Sequence, residues 1–303
     1  MKKNSTFTSM LIKYSMISKI KFKKLYVFIF LIVTYLIVCQ SCMRMRMNTD
    51  KTHDFFQNSN LNYIDKTEII DSSTVHYIQT GNNENPTLFF VHGSPGSWDA
   101  YKDYLKDTLL LKKYRMIAVD RPGFGYSDFG KSKNLYNQSK LLIKLVEKLN
   151  NKKAIILVGH SYGGPIIVKM ASLQPKLFSD LVILSGAIDP NAENPEKWRP
   201  IIMGKPIRYL IPGALRPAND ELWWLKEDLI TMKPNLKNIK SKIYVIHGTK
   251  DPLVPYSNMA FIQKQFVNAK SMDTISIKNA NHFIPWEHFE LIRNVLYDLK
   301  IEN

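Results

Sequence analysis

The chain reads AIILVGHSYGGP at residues 154–165, and this stretch decides the fold. Four large apolar residues, Ile155 to Val158, follow one another without polar alternation, which is typical of a parallel strand covered on both faces. Glycines surround the next turn, and Pro165 falls in the first turn of a following helix, where a missing N–H costs no hydrogen bond. The stretch therefore predicts a buried strand that turns sharply into a helix, with Ser161 at the turn.

Short apolar runs alternate with amphipathic stretches along most of the chain. The runs are Val75–Gln79, Thr87–Val91, Met116–Val119, Ala154–Val158, Leu181–Leu184, Lys242–Ile246 and Thr274–Ile277. Leu135–Asn150 places its leucines on one helical face. Ile166–Leu173, Ser257–Val267 and His288–Leu299 have the same helical pattern. Because strands alternate with helices, we expect an α/β fold with a mainly parallel sheet sandwiched by helices.

Residues 189–236 interrupt this alternation, with seven of the 15 prolines and three of the five tryptophans. Proline at this density prevents long helices. We therefore expect a small, mostly helical cap of short helices, inserted after the sixth main strand at Leu181–Leu184. The core would then comprise residues 67–188 and 237–303. The cap aromatics are expected to form an apolar wall over the site; they are Trp198, Tyr209, Trp223 and Trp224.

Residues 1–42 have the pattern of an export or membrane leader. Four lysines between residues 19 and 24 precede an unbroken apolar run from Leu25 to Val38. Cationic residues stay inside the cell while the apolar stretch enters the bilayer. The stretch before the apolar run is long for the basic region of a leader, and a start at Met16 would make it compact. Whether the chain starts at Met1 or Met16 is therefore open. Residues 43–66 are expected to be a tether, of which residues 48–66 are polar and include the first packed segment.

Two interpretations of the leader stay open. The segment resembles a bacterial lipoprotein signal, in which Cys42 would be the lipidated residue. Alternatively, residues 25–43 are uncharged, and their number is close to the ~20 needed for a membrane-spanning helix. Either interpretation predicts an exported, membrane-anchored protein.

Composition excludes several classes of site. The only two cysteines, Cys39 and Cys42, lie in the leader, which excludes a disulfide framework, a cysteine metal site and a cysteine nucleophile from the main domain. The net charge is +16, but residues 1–47 carry nine Lys and Arg and no acidic residue. With no basic stripe in the remainder, we expect no nucleic-acid partner. No metal or cofactor is expected, and the oligomeric state is open.

Ser161 is the candidate nucleophile. A serine on a sharp strand-to-helix turn needs small neighbours two positions away, and Gly159 and Gly163 meet that need. Its hydroxyl attacks only when a base removes its proton. His282 follows the last strand, at the sheet edge where ligands gather in an open α/β sheet, and is the candidate base.

The imidazole needs an orienting carboxylate. Asp251 follows the penultimate strand and gives the chain order Ser161, Asp251, His282 that a hydrolase of this type requires. Asp189 also ends a strand near the site, so it remains an alternative. Attack of the serine on a carbonyl would create a negatively charged oxygen, the oxyanion. We expect the backbone N–H groups of Ser94 and Tyr162 to bind it; Ser94 lies in the loop after the strand at Thr87–Val91.

Together these segments resemble the α/β-hydrolase family over about residues 68–300. The resemblance rests on HGSPG at residues 92–96, DRPGFG at 120–125, the turn at 159–164, GTKD at 248–251 and NHF at 281–283. It implies an activity like those of esterases, lipases, carbon–carbon bond hydrolases or cofactor-free haloperoxidases. Epoxide hydrolases and dehalogenases of this family use an aspartate as nucleophile, so Ser161 argues against those activities. The loop at Asp120–Gly125 is expected only to turn the chain.

The sequence therefore predicts a serine hydrolase that cleaves an ester-like acyl bond of a small, largely apolar substrate. The alternative is a membrane-tethered ligand-binding protein that uses a hydrolase scaffold without useful turnover, because a fold alone does not establish activity. A complete set of Ser161, His282 and Asp251 favours the enzyme.

Overall fold

One eight-stranded sheet forms the centre of the computed structural model, which describes residues 22–38 and 43–301. The strands are β1 Ile64–Ile70, β2 Ser73–Thr80, β3 Thr87–Val91, β4 Arg115–Val119, β5 Ile155–His160, β6 Asp180–Leu184, β7 Lys242–Gly248 and β8 Ser271–Ile277. Their order is β1-β2-β4-β3-β5-β6-β7-β8. The pairs β1–β2 and β2–β4 are antiparallel, and all other pairs are parallel.

Helices cover both faces of the sheet. They are α1 at residues 22–38, α2 Thr49–Gln57, α3 Lys102–Leu105, α4 Thr108–Lys113, α5 Leu135–Lys148, α6 Gly163–Leu173, α7 Arg199–Met203, α8 Leu215–Met232, α9 Ser257–Gln265, α10 Ile284–Glu287 and α11 Phe289–Asp298. Short 3₁₀ turns occur at Trp98–Tyr101, Ile207–Leu210 and Lys233–Asn238. One apolar core contains residues of α5, α6, α8 and α9, and the other contains residues of α2, α3, α4 and α11. The predicted mainly parallel sheet between helices is confirmed.

The expected tether at residues 43–66 is wrong in its extent, because these residues contain α2 and the start of β1. Phe56 of α2 is fully buried. Its ring stacks on Tyr63 at 4.4 Å and on Trp98 at 6.0 Å, which fixes the helix to the domain. The strand β1 was not predicted. It lies at the edge of the sheet, its first four residues are exposed, and three of these are polar, so it lacks the apolar run of a buried strand.

Between β6 and β7 the chain forms α7, two 3₁₀ turns and α8, all outside the sheet. The expectation that only short helices form here is wrong, because α8 has 18 residues. Pro217 lies at its third position, where a backbone N–H has no partner within the helix. Proline in the first turn is therefore compatible with a long helix, which explains how α8 forms in this proline-rich segment. The division into core and cap stays a prediction.

Part of the leader lies outside the described residues, including Cys39, Cys42 and residues 1–21. The described part, residues 22–38, is helical and largely exposed. The Tyr35 hydroxyl donates a hydrogen bond to the Leu210 carbonyl at 3.0 Å. Within residues 22–38 and 43–301, no helix has both the length and the apolarity needed to cross a bilayer.

A buried histidine links the antiparallel strands to the loop after β4. His76 of β2 lies with Nδ1 2.8 Å from Asp120 and Nε2 2.9 Å from Asp65 of β1. Burial alone would lower the pKa of His76. Its hydrogen bonds to the two carboxylates, and their negative charges, outweigh burial and raise the pKa from 6.5 to about 9. His76 is thus a cation that holds two carboxylates together.

This charge makes stability depend on pH. Because the pKa of His76 is higher in the folded chain than in the unfolded one, its contribution is fully present below pH 6.5 and is lost as the pH rises through about 9. We expect the free energy of unfolding, measured in urea, to fall over this range more steeply in the wild type than in His76→Gln. Parallel pH profiles for the two proteins would contradict this role.

Candidate active site

The predicted sharp turn is present between β5 and α6. Ser161 has a φ of 54°, in the left-handed region that L-residues rarely adopt. A Cβ atom at Gly163 would lie 2.1 Å from the carbonyl oxygen of Val91, and one at Gly159 would lie 2.4 Å from the carbonyl oxygen of Gly163. Backbone atoms cannot move aside at such distances, so this turn requires glycine at both positions. The side chain of Ser161 is thereby held at the carboxyl edge of the sheet.

His282 and Asp251 meet at the same edge. The Nδ1 atom of His282 lies 2.7 Å from Oδ2 of Asp251, whose side chain is fully buried. The other carboxylate oxygen accepts the N–H groups of Leu253 at 2.9 Å and Val254 at 2.8 Å. Burial would raise the pKa of Asp251, but hydrogen bonds from His247, His282 and the Val254 N–H hold it well below its usual range. Asp251 is therefore a fixed negative charge behind the imidazole.

The alternative acid lies elsewhere. Asp189 accepts the N–H of Asn191 at 2.9 Å, so it closes its own turn. Its backbone N–H donates to the side chain of Asn258 at 2.7 Å, which anchors that turn to α9. The carboxylate that the structure places beside His282 is that of Asp251.

His160, to which the sequence assigned no role, positions His282. Its Nε2 lies 2.9 Å from the carbonyl oxygen of His282, and the two ring centroids are 4.7 Å apart. A carbonyl only accepts, so Nε2 of His160 carries the proton. Burial, and then the neighbouring His282, lower the pKa of His160 to about 3, which keeps this ring neutral. Because the two histidines are 122 residues apart, no local sequence pattern indicates this contact.

A cavity of about 1210 Å³ brings the predicted groups together: Ser94, Ser161, Tyr162 and His282 all line it. Asp251 lies behind His282. Among the hydrogen bonds of the described residues, none joins the Ser161 hydroxyl to His282, so these two groups are related by the cavity that they share. Within the same described ranges, no group of three or more His, Cys, Asp or Glu residues has the arrangement of a metal site.

The expected aromatic wall is not part of this cavity. Trp198 and Tyr209 are about half exposed, and Trp223 and Trp224 line a separate pocket. This segment lines the cavity with residues 192–196 and Arg199 and, from α8, with Leu222 and Leu225 instead. The reason is helical periodicity, since residues three apart share a face and the tryptophans between them point elsewhere. The apolar remainder of the wall comes from outside the segment, from Leu253, Val254, Phe283 and Trp286.

Arg121 fixes the loop that carries the predicted oxyanion donor. Its guanidinium makes a bidentate ion pair with Glu221 of α8, with both N–H···O distances 2.7 Å and both side chains buried. It also donates to the carbonyl oxygens of His92 and Gly93, each at 2.9 Å. A further bond reaches Gln138 of α5 at 2.7 Å. The loop after β4 was expected only to turn the chain, and the structure shows that it also ties three other segments together.

The second predicted donor, Tyr162, is held by the same cation. Its buried ring lies against the Arg121 guanidinium at 4.8 Å. Tyr162 is the N-cap residue of α6, so its N–H lies at the positive end of the helix dipole. Arg121 therefore contacts both segments that carry the predicted oxyanion donors.

Comparisons with known proteins agree with this architecture. A family model described as the alpha/beta hydrolase fold matches residues 86–210. The chain is 32% identical over 111 residues to epoxide hydrolase 1 of Caenorhabditis elegans, covering 36% of the chain and 27% of that protein. It is 27% identical over 269 residues to the uncharacterized hydrolase YugF of Bacillus subtilis (strain 168), covering 76% of the chain and 95% of that protein. The chain spans 27% to 47% of the length of the epoxide hydrolases that it matches.

Solved structures show the same fold. A membrane phospholipase A, described as a novel bacterial virulence factor, superposes with a TM-score of 0.61 at 18% identity, covering 96% of this chain and 100% of that one. A thermophilic esterase from Thermogutta terrifontis gives a TM-score of 0.62 at 16% identity, covering 77% of this chain and 96% of that one.

The buried pair of Arg121 and Glu221 leads to a stability prediction. Removing one partner of a buried ion pair leaves the other charge uncompensated, so Glu221→Ala should lower the free energy of unfolding by about 3–5 kcal/mol. The matched control is Asp103→Ala, which breaks a largely exposed pair with Lys106 and should cost less than about 1 kcal/mol. Urea unfolding of the two variants measures both values. Equal losses would show that the buried pair has no special structural role.

Proposed function

Because the chain has the α/β-hydrolase fold, we propose that it is a serine hydrolase that cleaves an ester-like acyl bond of a small, largely apolar substrate. The observation that carries the proposal is the 2.7 Å contact between His282 and Asp251 beside a cavity that Ser161 lines from a strained turn. A ligand-binding protein has no need of a buried carboxylate that orients a histidine at such a serine.

The proposed reaction has two steps. The Oγ atom of Ser161 attacks the substrate carbonyl while Nε2 of His282 accepts the hydroxyl proton, and Asp251 stabilises the resulting imidazolium. The backbone N–H groups of Ser94 and Tyr162 bind the oxyanion. As the tetrahedral intermediate collapses, His282 returns the proton to the leaving alcohol. Water then attacks the acyl-enzyme with His282 again as the base, which releases the acid and restores Ser161.

The nature of residue 161 favours ester cleavage over epoxide opening. Several relatives of this chain bear the name epoxide hydrolase. In the family that the chain resembles, those enzymes use an aspartate where this chain has Ser161. A serine needs a general base for its attack, and the His282–Asp251 pair supplies one.

The cavity supports a substrate with an apolar acyl or alcohol part. Apolar side chains line the cavity around Ser161; they are Leu222, Leu225, Leu253, Phe283 and Trp286. Pockets of this kind bind ligands through burial of apolar surface and fix them through a few polar groups. No protein ligand for a metal or cofactor is needed in the proposed reaction.

We further propose that the protein is exported and attached to a membrane through its leader, either by acylation of Cys42 or by a helix at residues 25–43. The basic and apolar pattern of the leader supports this attachment. Metabolic labelling with palmitate separates the two forms: a label lost in Cys42→Ala indicates the lipid anchor. An unlabelled chain in the membrane fraction with Met1 or Met16 at its N-terminus indicates the helix, and recovery only from the soluble fraction contradicts both.

The catalytic proposal predicts the behaviour of the nucleophile variant. Ser161→Ala should reduce hydrolysis of 4-nitrophenyl butyrate to the uncatalysed background, because no other described side chain in the cavity can replace the hydroxyl at the turn. Labelling with a fluorophosphonate should mark the wild type and not this variant. Equal rates in both proteins would favour the ligand-binding alternative.

The orienting carboxylate is tested with the same substrate. Asp251→Asn should lower kcat by about 10⁴-fold, because an amide no longer holds the imidazole in the required tautomer. Asp189→Asn is the matched control, since this residue also follows a strand but closes its own turn, and its kcat should stay close to the wild-type value. The reverse pattern would assign the role to Asp189.

A further inference from the structure

Residues 43–48, the strap, form one wall of the catalytic cavity. Met45 to Asn48 line it together with the loop at Gly93–Ser97. The strap is fixed at both ends: the carbonyl oxygen of Met43 accepts the N–H of Ala214 at 2.8 Å, and that of Met47 accepts the Tyr126 hydroxyl at 3.2 Å. These contacts make the segment that directly follows the leader part of the proposed substrate site.

Arg46 is the charged residue of this wall. Its guanidinium lies 3.6 Å from the centroid of the Tyr126 ring and donates a hydrogen bond to the Gly125 carbonyl. These two contacts hold the group rigidly. Among the described residues, no carboxylate lies within ion-pair distance of Arg46, and its other N–H groups have no hydrogen-bond partner. A half-buried guanidinium with no carboxylate partner and with unused N–H groups can bind an anion without breaking an existing ion pair.

Most other charged groups of the cavity are already engaged or weakly charged, and Lys51 of α2 is a second cation that lines it. Arg199 is paired with Glu196 at 2.6 Å. Asp99 accepts a hydrogen bond from the Ser97 hydroxyl. Burial raises the pKa of Glu193 to about 7, so that carboxyl is partly neutral near physiological pH. Arg46 differs from Lys51 in that stacking and a backbone hydrogen bond hold its charged group in place while other donors stay unused.

We infer that Arg46 binds an anionic group of the substrate, a carboxylate or a phosphate that lies away from the scissile carbonyl. A planar guanidinium held by stacking presents two N–H donors in the geometry that such oxyanions accept. The inference rests on the proposed hydrolase function and narrows its substrate to an apolar ester with a remote negative charge.

The test compares esters matched in chain length. Mono-4-nitrophenyl adipate and suberate carry a terminal carboxylate, and 4-nitrophenyl hexanoate and octanoate are their neutral counterparts. In Arg46→Gln, the ratio of kcat/KM for the anionic ester to that for the neutral one should fall by about tenfold or more, mainly through KM, because a charge-assisted hydrogen bond is lost. The chain length with the larger effect shows how far the anion site lies from Ser161.

A second pair of substrates distinguishes the two anionic groups. Short-chain phosphatidic acid and the corresponding diacylglycerol, both used below their aggregation concentrations, differ only in the phosphate. If Arg46→Gln lowers the kcat/KM ratio of anionic to neutral substrate only for this pair, the group that Arg46 binds is a phosphate. If the substitution lowers that ratio only for the diacid esters, the group is a carboxylate.

Arg44→Gln is the matched control, because it removes the same charge from the same strap at a residue that does not line the cavity. Arg46→Lys keeps the charge and should restore part of the preference. Equal effects of Arg44→Gln and Arg46→Gln, or no change in any ratio, would overturn the inference. If the wild type hydrolyses none of these esters, the proposed function fails instead. Calorimetric binding of suberate to the wild type and to Arg46→Gln then decides the anion site independently of turnover.

Discussion

The buried ion pair of Arg121 and Glu221 is the interaction on which the geometry of the site depends. A charge placed in a protein interior is tolerated only when its hydrogen-bonding capacity is met, since desolvation costs several kcal/mol per ion. Arg121, in the loop after β4, meets this condition by contacting three other segments at once: α8 through Glu221, α5 through Gln138, and the loop after β3 through two carbonyl oxygens. Any shift of α8 would leave this charge without its counter-ion, so the position of α8 and the shape of the loop after β3 are coupled.

Asp251 is a second buried charge whose hydrogen-bonding capacity is met by its neighbours. Its carboxylate is removed from water yet stays ionised because backbone N–H groups and two histidines surround it. The direct contact with His282 Nδ1 leaves Nε2 of that ring available for the proposed reaction, and His160 holds the backbone of the same residue. The geometry of the candidate site is thus a product of buried polar groups at the carboxyl ends of β5, β7 and β8, each satisfied by its neighbours.

Features governed by local patterns were predictable from the sequence. The run before Ser161 predicted β5, and glycines at set distances predicted the turn, because sterics act over a few residues. The choice between Asp251 and Asp189 was open, since both follow strands and only three-dimensional contacts separate them. Long-range contacts carried no local signal: Arg121 meets Glu221 across 100 positions. In α2, burial of Phe56 depends on Tyr63 and Trp98, so a polar-looking segment proved to be structured.

The strap has a practical consequence for anyone who prepares a soluble form of the protein. Its first residue, Met43, immediately follows Cys42, where the leader was expected to end. A fragment that begins at the helix starting at Thr49 therefore lacks one side of the cavity lined by Ser161 and His282. Kinetic constants measured on such a fragment would describe a cavity that is more open to solvent than that of the intact protein. Recombinant versions intended for substrate screening should therefore begin no later than residue 43.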